Sequence, residues 1–453
     1  MARVTVVGMG YVGVATTLAL AWIGHETCGV EVDPSRLSQL EHGQAPFFEP
    51  GIEGMLAALR PRLHFTGDLG RACLDADAVF ITVGTPSRPD GSADLTSLEQ
   101  VVADLRKHLR RQDTIVVNKS TAPVGTLDRL ATHLPGTPLA ANPEFLRQGQ
   151  AILDTLYPDR IVVGTRDAGA GERLRKIYQP IVDGSLTPPP GMKRPVRAEP
   201  PFLLMDPNSA ELAKYAANAF LALKISFINE IANVCDGVGA DIDRVADVIG
   251  RDPRIGRQYL RAGIGYGGSC FPKDTRALHA IAGDSGYPFQ LLRAVIEVNQ
   301  LQAARVAVRL EQALGGSLDG RCLAVLGLTF KPGTDDLRES PSLAIIGDLV
   351  ARGARVRVHD PVALDHAHLP EGAEPAAGVR AAVAGADAVL VLTEWPEYVA
   401  LSEADLAGMR GGLIYDGRNA LDPARFPHMV YVGVGRSATA LGQAEAAAAR
   451  EKA

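Results

Sequence analysis

The chain has 453 residues, more than one ordinary hydrophobic core accommodates, so two or three domains are expected. A hydrophobic fraction of 46% and a charged fraction of 22% place it among globular proteins. The net charge of −6 gives no electrostatic ground for a nucleic-acid partner, though clustered Lys and Arg can still hold a small phosphorylated ligand.

Aromatic residues are sparse at 5%, and 47 glycines point to close backbone packing in an α/β protein. The five cysteines, Cys28, Cys73, Cys235, Cys270 and Cys322, are widely spaced and form no CxxC pair. That argues against a disulfide framework or structural zinc and fits a reducing compartment, so no metal and a cytoplasmic location are expected. Arg3 and the apolar stretch up to Ile23 resemble a signal peptide, but Gly8, Gly10 and Gly13 interrupt it and no clean cleavage site follows. No uninterrupted apolar run reaches about 18 residues, so no membrane span is expected.

In chain order, residues 3–8 (RVTVVG) read as a buried parallel strand, 11–23 as a helix and 27–32 (TCGVEV) as a second strand. The alternation continues through strands in 76–84, 113–120 and 160–164, which implies a parallel, doubly wound sheet. Residues 181–207 are proline-rich and lack periodicity, and are read as a loop or linker. A long helix is expected from Ser209 to Gly237, as core, domain connector or dimer face. The first pattern then returns: strand 321–330, helix 341–353, strand 354–361, and an ADAVLVLTEWPEY segment (386–398) that echoes 76–89. The fold class is therefore α/β, two Rossmann-like parallel-sheet domains joined by a long central helix. Residues 436–453 are Ala-rich without a stop signal and are expected to fray.

Gly8-Met9-Gly10-Tyr11-Val12-Gly13 is a GxGxxG turn between strand and helix. Its first glycine permits the tight turn, the second lets a pyrophosphate approach, and the third lets helix and strand pack closely. Alone the motif is weak; within a strand–helix–strand unit ending in an acid it predicts a dinucleotide site. That acid is Glu31, whose carboxylate suits ribose hydroxyls and repels a 2′-phosphate, favouring NAD over NADP. Asp33 is the rival for the ribose, or else the start of the next helix with Pro34; Arg36 is placed to rest on the adenine or tolerate a phosphate. Further on, residues 263–274 (GIGYGGSCFPKD) set Cys270 in a glycine-rich loop with Lys273 and Asp274 behind it. The glycines are expected to admit a substrate, and the nearby positive charge to favour the thiolate; a lone buried cysteine is otherwise inert core. The other four cysteines lie in apolar elements and are expected to be packing residues.

A set of strings occurs in order along nearly the whole chain: GMGYVG, VGTPS (83–87), KSTAPVGT (119–126), NPEFLRQG (142–149), PDRIVVG (158–164), SAELAKYAANAFLALKISFINE (209–230), RIGRQYLRAGIGYGGSCFPKD (254–274), GLTFKPGTDDLRESPS (327–342) and YDGRN (415–419). By these the sequence resembles the UDP-glucose/GDP-mannose dehydrogenase family. The resemblance implies four-electron oxidation of a nucleotide-sugar's primary alcohol to a carboxylate with two NAD in succession. Cys270 would attack the intermediate aldehyde, so that the thiohemiacetal gives up a second hydride and the resulting thioester is hydrolysed. It implies domains at 1–200 (NAD-binding), 201–310 (central, helical, dimerising) and 311–440 (nucleotide-sugar-binding), with a tail at 441–453.

By the same resemblance Lys214 stabilises the developing oxyanion, with Asn218 one turn later on the same face. Asp274 and Thr121 position a water, and Glu144 serves as general base. Plainer readings stand beside these: Lys214 as a solvated helix lysine, Glu144 as a helix N-terminal acid after Pro143. Thr85, Thr121, Lys273 and Arg338 join the cofactor contacts, though Arg338 is equally read as a loop ion pair with Asp335-Asp336. Phe145, Leu146 and the stretch from Tyr259 to Gly267 resemble segments that line the sugar nucleotide. Lys331 and Arg418 face its pyrophosphate, and Arg254 crosses a subunit interface, implying a homodimer. Ser269, where the N-acetylhexosamine branch carries histidine, together with PDRIVVG, TEWPEY and YDGRN, puts UDP-glucose first as substrate and GDP-mannose second. Residues 181–202 are longer and richer in proline than the family pattern, and are read as either a cover for the site or a tie between domains.

Overall fold

Val4, Val6 and Val7 are β-branched and sit in a run too short for a helix; they form strand β1 (Arg3–Val7) of the computed structural model, which describes residues 1–436. The first sheet adds β2 (Glu26–Val30), β3 (Leu63–Thr66), β4 (Ala78–Ile81), β5 (Ile115–Asn118), β6 (Leu139–Ala141), β7 (Ile161–Gly164) and β8 (Phe202–Met205). Their order is β3-β2-β1-β4-β5-β6-β7-β8. The order reverses between β1 and β4, which is where a doubly wound sheet leaves a crevice for a ligand.

Both faces of the central strands of this sheet are buried, as their near-continuous apolar runs require. Val4, Val6, Ala78, Phe80, Ile115 and Val117 point into one core cluster, with Leu18 and other residues of the helix Tyr11–Trp22. Val7, Val79, Ile81 and Val116 point into the other. Phe80 is fully buried, and truncating it to Ala would cost about 3–5 kcal/mol.

Two features depart from the sequence reading. The sheet is mixed, because β6 and β7 meet antiparallel through Ala141 and Gly164. The segment 181–207 is not wholly a loop: Phe202–Met205 pairs in parallel with β7 and ends the sheet. Only four apolar residues behind two prolines carry that strand, too few to show a period.

The second sheet contains β9 (Cys322–Leu326), β10 (Arg355–His359), β11 (Ala373–Pro375), β12 (Ala388–Val391), β13 (Leu413–Asp416) and β14 (Val430–Gly433). Its order, β11-β10-β9-β12-β13-β14, repeats that of the first six strands, and all its pairs are parallel. The chain divides into two compact units, one of Met1–Ala217 with Arg276–Tyr287, the other of Asn218–Thr275 with the residues from Pro288 onward. The long helix Pro207–Val238 passes from the first to the second. Among the described residues no helix is long and apolar enough to cross a membrane. The tail expected from residue 441 lies outside the described residues.

Candidate active site

The glycine turn after β1 is built as its sequence demands. Gly8 takes a φ of 95°, and a Cβ on Gly13 would lie 1.8 Å from the Gly8 carbonyl oxygen, so a larger residue would push helix and strand apart. At Gly10 a Cβ would meet nothing within 4 Å. The space before Gly10 is thus open while Gly8 and Gly13 are closed on their own chain, which fits a pyrophosphate lying against the amides that open the helix at Tyr11 and Val12. Tyr11 stacks at 4.0 Å between ring centroids on Phe47. The Thr85 hydroxyl donates to the Thr121 carbonyl at 2.7 Å, joining two other expected cofactor residues.

Glu31 and Asp33 take different roles. Asp33 caps the helix Pro34–Glu41, accepting from the Arg36 amide at 2.9 Å. The buried Glu31 carboxylate accepts from the amides of Met9, Val32 and Asp33, and from the Arg36 guanidinium at 3.1 Å. Arg36 is therefore engaged by Glu31, and the pair suits ribose hydroxyls rather than a 2′-phosphate. The residues present fit NAD.

In the same unit the Lys214 ammonium and the Glu144 carboxylate meet at 2.9 Å, with side chains only 3% and 7% exposed. Neither plainer reading survives: Lys214 is not solvated, and no helix follows Pro143. Burial pushes the Glu144 carboxyl up, but Lys214 beside it, then the Leu146 amide and Lys119, outweigh this and hold it below the ordinary range. The second oxygen of Glu144 accepts from the Leu146 amide at 2.7 Å, which shapes the segment carrying Phe145 and Leu146. Lys214 lies 5.6 Å and the Arg160 guanidinium 3.7 Å from the centroid of the Phe145 ring. Glu211, one turn before Lys214, accepts from the Gly125 and Leu127 amides at 2.7 and 2.8 Å; burial pushes its carboxyl up to about 7.

In the second unit Cys270 opens the helix Phe271–Asp284, its carbonyl accepting from the Asp274 amide at 2.8 Å. The thiol is half-buried, with the Ser269 hydroxyl 3.7 Å away. A helix N-terminus favours a thiolate there. By contrast, burial pushes the Cys28 thiol up to about 11 and Cys73 up to about 12, as expected of packing residues. Asp274 is buried and held on both oxygens: Asn218 donates to one and Lys273 to the other, both at 2.6 Å. Lys273, expected at the cofactor, thus spends its charge on Asp274. Tyr259 adopts a φ of 64° and places its ring 6.0 Å from that of Phe271.

The glycines before Cys270 are required by the packing of their own chain. A Cβ on Gly267 would fall 2.3 Å from the Glu339 carbonyl oxygen, and one on Gly268 2.8 Å from the Phe330 ring. The Gly268 amide also donates to the Arg338 carbonyl. The loop is clamped further by the part-buried Arg418, which donates to the carbonyls of Gly265, Phe330 and Leu392 at 2.8–3.1 Å. Arg338 pairs bidentately with Asp336 at 2.8 and 2.7 Å, the loop ion pair weighed for it from sequence. Lys331 lies 5.7 Å from the Phe330 ring, and the exposed Arg254 pairs with neighbouring Asp252.

Sequence reasoning gave no role to Lys119, Asn142, Tyr178 or Arg160, although Lys119, Asn142 and Arg160 stand inside matched strings. Lys119 and Tyr178 both donate to the Asn142 side-chain oxygen, at 3.0 and 2.7 Å. A lysine directly after a buried strand was the available signal.

The glycine turn with its acid, at the switch point of a doubly wound sheet, defines a dinucleotide-dependent enzyme. Models of the UDP-glucose/GDP-mannose dehydrogenase family match residues 2–182 as the NAD binding domain, 208–301 as the central domain and 324–423 as the UDP binding domain. A UDP-glucose 6-dehydrogenase of Bacillus subtilis is 44% identical over 453 residues, covering 96% of this chain and 98% of its own length. Another, from Pseudomonas aeruginosa, is 43% identical, covering 96% and 97%. A solved UDP-glucose dehydrogenase from the archaeon Pyrobaculum islandicum has 39% identity and a TM-score of 0.85, covering 96% of this chain and 98% of that one. The chain belongs to the UDP-glucose/GDP-mannose dehydrogenase family, and its cofactor is NAD.

Proposed function

We propose that this protein oxidises the hydroxymethyl carbon of UDP-glucose to the carboxylate of UDP-glucuronate, with Cys270 as covalent nucleophile. The observation that carries the reading is Asp274, fixed by Asn218 and Lys273 in the first turn of the helix that Cys270 opens. A buried carboxylate held on both oxygens is a preorganised acceptor for a water or a proton. The choice of UDP-glucose is supported by the relatives of 43–44% identity and by Ser269.

NAD, when bound, accepts the hydride in each of the two oxidations. The chain's residues do the rest. In the first oxidation the alcohol proton passes to a water held by Asp274 and Thr121. The Cys270 thiolate then adds to the aldehyde carbon; a C–S bond forms and the carbonyl electrons move to oxygen, where the Lys214 ammonium stabilises the charge. After the second oxidation the carbon is a thioester. Water attacks it, the C–S bond breaks, and the sulfur leaves as thiolate. Glu144, held ionised by Lys214, orients that ammonium and takes part in the hydrolytic step.

We also infer a homodimer. Phe220, Phe227 and Val234 recur every seventh residue along the helix Pro207–Val238 and are 62%, 49% and 57% exposed. An apolar stripe of this kind on a long helix is the surface a second copy would cover. Arg254, with its side chain 87% exposed, is then available to the partner's site.

The test is stoichiometric. Two NADH should form per UDP-glucose consumed, and Cys270→Ser should stop acid formation while leaving NAD binding intact. One NADH per sugar with free aldehyde released, or an unimpaired Cys270→Ser, would overturn the mechanism; turnover of GDP-mannose in its place would overturn the substrate.

A further inference from the structure

Lys119 follows β5, and its ammonium is buried without an ion pair among the described residues. It donates to the Asn142 side-chain oxygen at 3.0 Å and, less directly, to the Asn142 carbonyl at 3.4 Å. The same side-chain oxygen accepts from Tyr178 at 2.7 Å, and the Asn142 amide group donates to the Val162 carbonyl at 2.7 Å. Asn142 is thereby fixed on three sides, two residues before Glu144. A neutral donor would satisfy Asn142 equally well, and an ammonium is costly to bury without a counter-ion. Its charge therefore needs a reason beyond folding.

We propose that Lys119 is a positioning residue for the oxidation. Its ammonium fixes Asn142 and so the segment presenting Glu144, and its charge makes it the third member of one buried cluster with Glu144 and Lys214. Three elements bring titratable groups to it: Glu144 after β6, Lys214 on the long helix, and Tyr178, which burial keeps in its neutral form. Burial pulls the Lys119 ammonium down to about 8, with Glu144 opposing and Lys214 assisting. Reciprocally, Lys119 is one of the charges that hold Glu144 ionised. Near neutral pH Glu144 thus feels two cations; above about 8 Lys119 becomes neutral and one is lost.

The inference rests on the reading that Glu144 and Lys214 serve the oxidation, so the test has one arm without substrate. In the full-length protein with 13Cε-labelled lysine, Lys119 should titrate near 8, and lower still in Glu144→Gln. A midpoint at the ordinary 10.5, unmoved by Glu144→Gln, would overturn the cluster. In the kinetic arm, Lys119→Met and Lys119→Gln should melt no lower than wild type at pH 7. Their kcat should fall about tenfold or more, and the alkaline limb near pH 8 should disappear, with KM for NAD little changed. Should Lys119→Met fail to fold, Lys119→Gln, which can still donate to Asn142, decides. Wild-type kcat and an unaltered pH profile in Lys119→Gln would sink the proposal. A wild type that oxidises no nucleotide-sugar would instead overturn the proposed function, leaving the titration to judge the cluster.

Discussion

Lys214 and Glu144 stand 70 positions apart in the chain and meet at 2.9 Å with almost no exposure to water. Removing either partner takes the nearest opposite charge away from a buried group. Lys214→Ala should therefore destabilise the protein by about 3–5 kcal/mol, read in urea unfolding, besides abolishing turnover. The pH dependence has a definite sign. The Glu144 carboxyl is held below its ordinary 4.5, so its contribution is present above that value and lost as pH falls through the lowered one. Wild type and Glu144→Gln should differ in stability at neutral pH and converge on acidification. A gap that persists in acid would show the pair is not what stabilises the site.

Glu31 and Arg36 set the cofactor. Glu31→Ser should raise KM for NAD about tenfold, since the acceptor for the ribose hydroxyls is lost. It should also release Arg36, so that NADP supports measurable turnover. An unchanged KM for NAD would mean that the carboxylate serves only its own loop.

The apolar stripe on the long helix predicts an assembly. Phe220→Glu combined with Phe227→Glu should halve the mass seen by sedimentation and suppress activity through loss of the partner's Arg254. A doubly substituted protein that stays dimeric, or a wild type that sediments as a monomer, would place the interface elsewhere or remove it.

The proline-rich segment 181–202 is tied to the first unit by specific bonds. The Trp22 indole donates to the Thr187 carbonyl at 2.9 Å, and Tyr157 donates to that of Leu186 at 3.3 Å. Arg197 shares the buried Asp154 carboxylate with Arg147 of the NPEFLRQG segment, which pairs with it bidentately. Arg197→Ala should loosen both, raising KM for the nucleotide-sugar severalfold and opening 184–200 to protease at a stability cost of about 1 kcal/mol. Unchanged KM and protease resistance would leave the segment a passive connector.

Much of the fold was legible because local patterns and global structure agree. Short β-branched runs gave β1, β4 and β5; the glycine turn and Glu31 sat where the strand–helix–strand unit puts them. The strand Phe202–Met205 escaped because four residues after two prolines carry no period, and the antiparallel turn at β7 because strand direction leaves no mark on composition. The packing that demands glycine before Cys270 was not legible for a similar reason. Sequence shows that a Cβ is absent, but the Glu339 carbonyl and the Phe330 ring that forbid it arrive from more than sixty positions downstream.

What the sequence determined by itself was which chemistry is present: a thiol in a glycine-rich loop, a lysine and an asparagine one helical turn apart, an acid closing the second strand. Helical and strand periodicities are local, so these placements follow from neighbours in the chain. Only tertiary structure decided how each charge is spent. Glu144 falls to Lys214, Asp274 to Lys273, Glu31 to Arg36 and Lys119 to Asn142, because burial of the first-named group removes water as its alternative partner and leaves it to whatever the fold brings within reach.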